Sequence, residues 1–285
     1  MSTLFKGIDV SKWQGTVQWS KVTADFVIIR AGIEYSTDVK WNTNYAGAST
    51  HNIPKGAYWY SKALTVDSAV KEAKAFLAAV KGKKFEYPLY MDVEEQKQFN
   101  LGKSALSKII RAFLQTVEAG GYWVGLYISK GYTQYVEADI LSRYAMWIAQ
   151  YNKSCTYTGQ YSIWQYGIAG HPKWDTFKTK RVAGITGQCD LDYCYYDYPS
   201  AIKKAGLNGY SKTAQQVDTN PSPSTPPEAV KEPEYTVYVV KRGDNLWNIA
   251  RKYLGNGARY KEIMSLNGMK TSSIYPGTKL KIPKK

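Results

Sequence analysis

The chain has 285 residues, of which 44% are apolar and 14% aromatic, and it carries a formal net charge of +15. That length suits one large domain with a small companion. Three cysteines (Cys155, Cys189, Cys194) make no disulfide framework, and two histidines without a His-Glu-x-x-His or Cys-x-x-Cys spacing argue against a zinc hydrolase, so neither metal nor cofactor is expected.

Residues 1–6 lack the apolar run of a signal peptide, and nothing approaches the roughly 18 apolar residues of a membrane span. The expectation is synthesis in a cytoplasm without membrane insertion. Charge is uneven: residues 235–285 hold 11 Lys and Arg against 2 Asp and Glu, whereas 1–234 hold 27 against 21. Such a balance favours acidic partners: nucleic acid, anionic lipid, or a cell wall bearing phosphate and carboxylate. No helix-turn-helix, finger or RNP-like motif accompanies it, so a nucleic-acid partner is not expected. Twenty of the 25 Tyr and eight of the nine Trp precede residue 211. That density fits a core and equally fits stacking against sugar rings.

Strand-like runs fall at 6–10, 26–31, 56–60, 88–92, 124–128, 145–149 and 161–166. Between them lie helical patterns. Val66, Ala69, Val70, Ala73, Phe76, Leu77 and Val80 form one stripe. Leu106, Ile109, Ile110, Phe113, Leu114 and Val117 form another, with Ser104 as the expected cap and Gly120-Gly121 as the stop. Strands alternating with helices predict an α/β fold with mostly parallel strands. Seven or eight of them in about 200 residues predict an irregular (β/α) barrel.

In such barrels the site lies at the C-terminal ends of the strands. Asp9 follows Gly7-Ile8 in the first strand. Asp92 and Glu94 end the run Pro88-Leu-Tyr-Met-Asp-Val-Glu94, and alternation puts Tyr90, Asp92 and Glu94 on one face, with the two acids roughly 6.8 Å apart along the backbone. A close pair resists double ionisation, so one carboxyl keeps its proton near neutral pH. A proton donor beside a stabilising carboxylate is what cutting a glycosidic bond requires. Two solvated acids at a strand end are the alternative for this stretch alone. Asp190 and Asp192, in Gly187-Gln-Cys-Asp-Leu-Asp192, add acids near the end of the domain, and Glu34 is a lesser candidate.

Residues 211–234 hold five of the 11 prolines and no aromatic. This is the composition of an extended linker, whose 24 residues would span at most roughly 75 Å. Beyond it, 235–240 reads as a strand. Asp244 is the expected cap of a helix that stops at Gly255, a second helix covers about 258–266, and 274–283 gives a turn and a closing strand. The domains expected are therefore a barrel (1–210), a Pro-rich linker (211–234) and a small βααβ module (235–285).

Six ordered motifs carry a resemblance: Gly7-Ile-Asp-Val-Ser-Lys-Trp-Gln-Gly15, Gly56-Ala-Tyr-Trp-Tyr60, Asp92-Val-Glu94, Gly121-Tyr-Trp-Val-Gly-Leu-Tyr127, Trp164-Gln-Tyr166 and Val182-Ala-Gly-Ile-Thr-Gly-Gln-Cys-Asp-Leu-Asp192. Together they resemble glycoside hydrolase family 25, lysozymes (N-acetylmuramidases) with an irregular β/α barrel, over about residues 4–200. Trp59 stands where members often have His, at an expected pocket wall, and Cys189 replaces a usual apolar residue. The C-terminal unit resembles a LysM module through Tyr235-Thr-Val, Gly243-Asp-Asn-Leu-Trp-Asn-Ile-Ala250, Asn267-Gly268, Tyr275-Pro-Gly and Leu280-Lys-Ile-Pro283.

The resemblance implies a phage endolysin-like peptidoglycan hydrolase. It would cut the β-1,4 bond between N-acetylmuramic acid and N-acetylglucosamine after release from the host cytoplasm to the wall. Glu94 would be the acid and base, and Asp92 would orient the substrate's acetamido group, with direct attack by Asp the mechanistic runner-up. Asp9 and Asp190 would tune the pair's protonation. Tyr58, Tyr60, Tyr127, Trp147 and Trp164 are stacking candidates, each equally suited to a core, and Asp192 is a substrate-binding candidate. Gly243, Asp244, Asn245, Leu246, Ile274 and Tyr275 would line the module's glycan groove, with Trp247 read as core. An inactive glycan-binding protein and a bacterial autolysin are the competing readings.

Overall fold

The computed structural model describes residues 4–211, 235–240, 244–255, 259–267, 269 and 278–283. The chain divides into two compact units, Met1–Gln216 and Val217–Lys285. Beyond Ser211 the expected linker lies outside the described residues, as do Gly243, Ile274 and Tyr275 of the expected groove.

The larger unit runs β1 (Phe5–Val10), β2 (Phe26–Ile33), β3 (Ser36–Thr37), α1 (Trp41–Thr50), β4 (Lys55–Tyr60), α2 (Val66–Val80), β5 (Leu89–Val93), α3 (Gln96–Phe99), α4 (Lys103–Ala119), β6 (Val124–Ser129), α5 (Ala138–Arg143), β7 (Ala145–Ala149), β8 (Ile163–Ala169), β9 (Cys189–Cys194) and α6 (Tyr198–Ala205). One sheet is ordered β1-β9-β8-β7-β6-β5-β4-β2-β3, and a further β1–β2 pairing closes it into a barrel that leaves only the two-residue β3 outside. Neighbours from β1 through β2 and β4 to β8 pair in parallel, while β9 runs antiparallel to both β1 and β8. The mixed barrel thus fits the sequence pattern except at β9. That strand follows a long loop from β8 with no helical crossover, so it returns in the opposite direction.

The apolar runs form strands because both faces are covered. Val27, Ile29, Ala57, Trp59, Leu89, Met91, Leu126 and Ile148 face outward onto the surrounding helices, the stripes of α2 and α4 among them. Phe26, Ile28, Tyr58, Tyr90, Tyr127, Trp147 and Ile163 fill the interior, with Tyr87, Tyr198 and Ile202 continuing the cluster. Interior aromatics demand glycine opposite them: a Cβ on Gly7 would come within 2.2 Å of the Phe26 ring, and one on Gly125 within 2.4 Å of Tyr90. α2 starts at a capping box of Thr65 and Ser68. α4 begins one residue before Ser104, which therefore sits inside the helix; Gly102 takes the cap position and Gly120 ends the helix as expected.

The smaller unit contains β10 (Tyr235–Val239), α7 (Leu246–Leu254), α8 (Tyr260–Leu266) and β11 (Lys279–Pro283), with β10 and β11 antiparallel. Val240, Leu246, Ile249, Ala250, Leu254, Ile263, Leu280 and Ile282 give it a core of its own. Asn245, not Asp244, caps α7 by accepting from Asn248 N, while Asp244 accepts from the Tyr238 hydroxyl at 2.6 Å. Gly255 ends α7 in the left-handed conformation, as expected. Among the described residues no helix is long and apolar enough to cross a membrane.

A carboxylate-lined candidate active site

Alternation along the strands delivers one polar ring to the barrel mouth. β1 supplies Asp9, β4 supplies Tyr58 and Tyr60, β5 supplies Asp92 with Glu94 just past its end, β6 supplies Tyr127, and β7 supplies Trp147. β8 supplies Gln165, and β9 contributes Asp190. With Ser11, Trp13, Gln14, Arg30 and Tyr151 they line a cavity of about 230 Å³. Register brings them side by side: Asp9 faces Asp190 across β1–β9, and Asp92 lies between Tyr60 and Tyr127.

Asp92 is 3% exposed. Its carboxyl meets that of Glu94, and Oδ1 has no hydrogen-bond partner among the described residues. Burial, and then the Glu94 charge, hold Asp92 far above the usual carboxylate range. Burial also raises Glu94, with the charge of Glu95 adding to it. Asp190 is pushed up to about 7 by burial and by Glu94. Asp9 is raised by burial, then by Asp190 and Asp192. The mouth therefore keeps protons near neutral pH, as acid catalysis requires.

A second layer supports the ring. The Gln165 amide donates to Asp9 Oδ2 at 2.8 Å, and its carbonyl oxygen accepts from the hydroxyls of Tyr127 at 2.8 Å and Tyr151 at 3.1 Å. Asp192 does not line the cavity. It lies fully buried, accepting the Trp147 indole N–H at 2.8 Å and meeting the carboxyl of Asp9. Arg30 is the cation in the cavity lining, fixed to Asp38 at 2.7 Å, and Asp38 also accepts from Lys12 N and Lys40 N.

Most sequence candidates meet here: Asp9, Asp92, Glu94, Asp190, Tyr58, Tyr60, Tyr127 and Trp147. Three do not. Trp164 faces away from the cavity, donating to Gln150 O and packing on Tyr166 and Tyr193, because its neighbour Gln165 takes the inward position. Trp59 is no pocket wall; it is outward, fully buried against Phe76, and donates to Glu34 O. Asp192 lies beneath the floor. Sequence reasoning missed Arg30, Gln165, Tyr151, Gln14 and Trp13. Arg30 was visible as the one charge within the run Phe26-Val-Ile-Ile-Arg-Ala31. Trp13, 76% exposed at the cavity rim, is the most open stacking platform there.

In the small unit Asn245 and Leu246 share a recess of about 330 Å³ with Trp247 and Tyr260. Leu246 is 1% exposed and belongs to the core, whereas Trp247 is 51% exposed. This reverses the reading of Trp247 as core. α7 turns Leu246, Ile249 and Ala250 inward and leaves the adjacent position outside.

The family model for glycosyl hydrolases family 25 matches residues 8–172. The chain belongs to that family. Asp190 and Asp192 lie beyond the matched span, and a LysM domain model matches 238–283. Among solved structures, the modular autolysin LytC of Streptococcus pneumoniae, crystallised with a synthetic peptidoglycan ligand, is 26% identical with a TM-score of 0.59, covering 67% of this chain and 47% of its own. The catalytic domain of endolysin ply40, from a Listeria monocytogenes bacteriophage, is 25% identical with a TM-score of 0.57, covering 71% of this chain and 98% of its own. The small unit is similar to part of the N-acetylmuramoyl-L-alanine amidase sle1 of Staphylococcus saprophyticus, 55% identical over 47 residues that are 16% of this chain and 14% of that relative.

Proposed function

We propose that the chain is a lysozyme, an N-acetylmuramidase that cuts the β-1,4 bond between N-acetylmuramic acid and N-acetylglucosamine in bacterial peptidoglycan, held on the wall by its LysM domain. The observation that carries this is the adjoining carboxyls of Asp92 and Glu94 at the end of β5, opening into the cavity. Glu94 donates the proton to the leaving sugar oxygen and later takes one from water. Two carboxyls within hydrogen-bonding reach of each other are too close to straddle a glycosidic bond from opposite sides, for which about 5 Å or more is needed. This favours the substrate's own acetamido oxygen as nucleophile, oriented by Asp92, over direct attack by Asp. The peptidoglycan ligand of LytC supports the substrate class.

Relatives include both phage endolysins and a bacterial autolysin. We take the endolysin reading, given the likeness to the ply40 catalytic domain. An endolysin made in the host cytoplasm lyses the cell only once a membrane pore is co-expressed. Lysis without a pore would favour an exported autolysin.

Mass spectrometry of digested peptidoglycan tests the bond. New reducing ends should be N-acetylmuramic acid. Reducing-end N-acetylglucosamine would indicate a glucosaminidase, free amino groups an amidase or peptidase, and no products with retained wall binding an inactive glycan-binding protein.

A further inference from the structure

The loop between β8 and β9 carries Lys173, Lys178, Lys180 and Arg181 with a single acid, Asp175. That acid is already used: its carboxylate accepts from Gly170 N at 3.0 Å and from Thr179 N and Lys180 N at 2.7 Å. These bonds hold Lys178 and Lys180 in the left-handed region, at φ 54° and 61°, which side-chain-bearing residues seldom adopt. The backbone is therefore fixed while the four cations, among the described residues, have no ion-pair partner. Beside them stand two exposed aromatics, Trp174 at 38% and Phe177 at 46%.

The loop flanks the cavity at both ends. Trp174 packs on His171 at 4.3 Å and on Tyr151 at 5.6 Å between ring centroids, and Tyr151 lines the cavity. At the other end Gln188 O, two residues before Asp190, accepts from the cavity residue Gln14. A cationic, partly aromatic arm thus borders a mouth whose own groups are acidic. The acids handle an uncharged sugar linkage, so the arm's charge serves another part of the ligand.

We propose that the β8–β9 loop is a recognition arm for the carboxylates of the peptides that substitute the glycan next to the cleaved bond. The inference rests on the muramidase reading. In that substrate one of the two sugars at the cleaved bond bears a lactyl-linked peptide, whose carboxylates lie within a few residues of the reacting centre. Lys178, Lys180 and Arg181 pair with them, and Trp174 covers the peptide's apolar stretches. Charge-assisted pairs of this kind strengthen binding and set specificity without entering the chemical step.

The test uses the full chain and its Lys178→Gln, Lys180→Gln, Arg181→Gln triple variant. Both are assayed on soluble uncross-linked glycan strands carrying their peptides, and on the same strands after an amidase has stripped them. The variant should lose on the order of tenfold in kcat/KM on peptide-bearing strands and keep its rate on stripped ones, with unchanged Tm because all three residues are exposed. Equal losses on both substrates, or none on either, would overturn the arm while leaving the muramidase reading standing. Loss confined to whole walls that retain phosphate-bearing polymer, and absent on walls extracted of it, would overturn it in favour of that polymer. If the native chain cuts neither strand, the muramidase reading itself fails and the arm with it.

Discussion

Gln165 donates to Asp9 Oδ2 at 2.8 Å while two tyrosine hydroxyls saturate its carbonyl oxygen, so its amide can face only one way. Asp9 is thereby tied across β9 to β8. Replacing Gln165 with Leu should deprive Asp9 and both hydroxyls of this partner, at a cost of roughly 1–3 kcal/mol for a buried group. We expect a lowered Tm together with reduced lysis. An unchanged Tm would show that the contact is not made in solution.

Glu94→Gln keeps the side chain's shape and removes its proton. Lysis of cells should fall roughly 10²-fold or more. Glu94 is held above its ordinary range, so ionising it in the fold is unfavourable and its loss should not lower Tm at pH 8. Near-native lysis by a folded Glu94→Gln protein would remove Glu94 from the mechanism. In the native enzyme, activity should decline as rising pH strips the last proton from the Asp92–Glu94 pair.

Acetamido participation has a stereochemical signature. The first-formed anomer, read by NMR, should retain configuration, and de-N-acetylated glycan should be cut poorly. Inversion would exclude both retaining schemes, and undiminished cutting of de-N-acetylated glycan would favour attack by Asp.

Away from the mouth, Glu72 is buried on α2, where it accepts from Lys62 N at 3.1 Å and keeps one oxygen without a donor. Burial lifts it from an ordinary 4.5 to about 7. The fold therefore binds a proton that the unfolded chain releases, and this contribution to stability is complete below pH 4.5 and lost as pH rises through 7. Glu72→Gln should match the native Tm at pH 4 and exceed it by a few degrees at pH 8. Parallel Tm curves across that window would refute the assignment.

Wall binding should come from the smaller unit, whose aromatic recess and basic charge can be separated by salt. Full-length Glu94→Gln protein should pellet with purified walls in moderate salt and be displaced by N-acetylglucosamine oligomers. Binding that vanishes with salt and ignores the sugar would mean charge alone, since exposed charges are screened beyond about 8 Å.

The barrel was legible because its strands and helices have different periods, and the mouth because acids at strand ends are rare in apolar runs. What escaped depended on facing and on partners outside the local window. Trp164 and Gln165 are neighbours, and only the register with β9 decides which turns inward. Ser104 and Asp244 were sensible caps by composition, but Gly102 and Asn245 hold those positions because the helices begin at Lys103 and Leu246. Arg30 escaped because its counter-charge, Asp38, comes from eight residues further along the chain.

Asp190 belongs to a strand that enters the barrel in reverse, between the first strand and the eighth, and it sits opposite Asp9 from the other end of the domain. A nascent chain stopped before residue 189 has an open sheet edge and lacks one wall of its mouth. The carboxylate set is then assembled only when the last strand docks beside the first. A chain truncated before that strand would keep Asp92 and Glu94 but lack Asp190 beside Asp9.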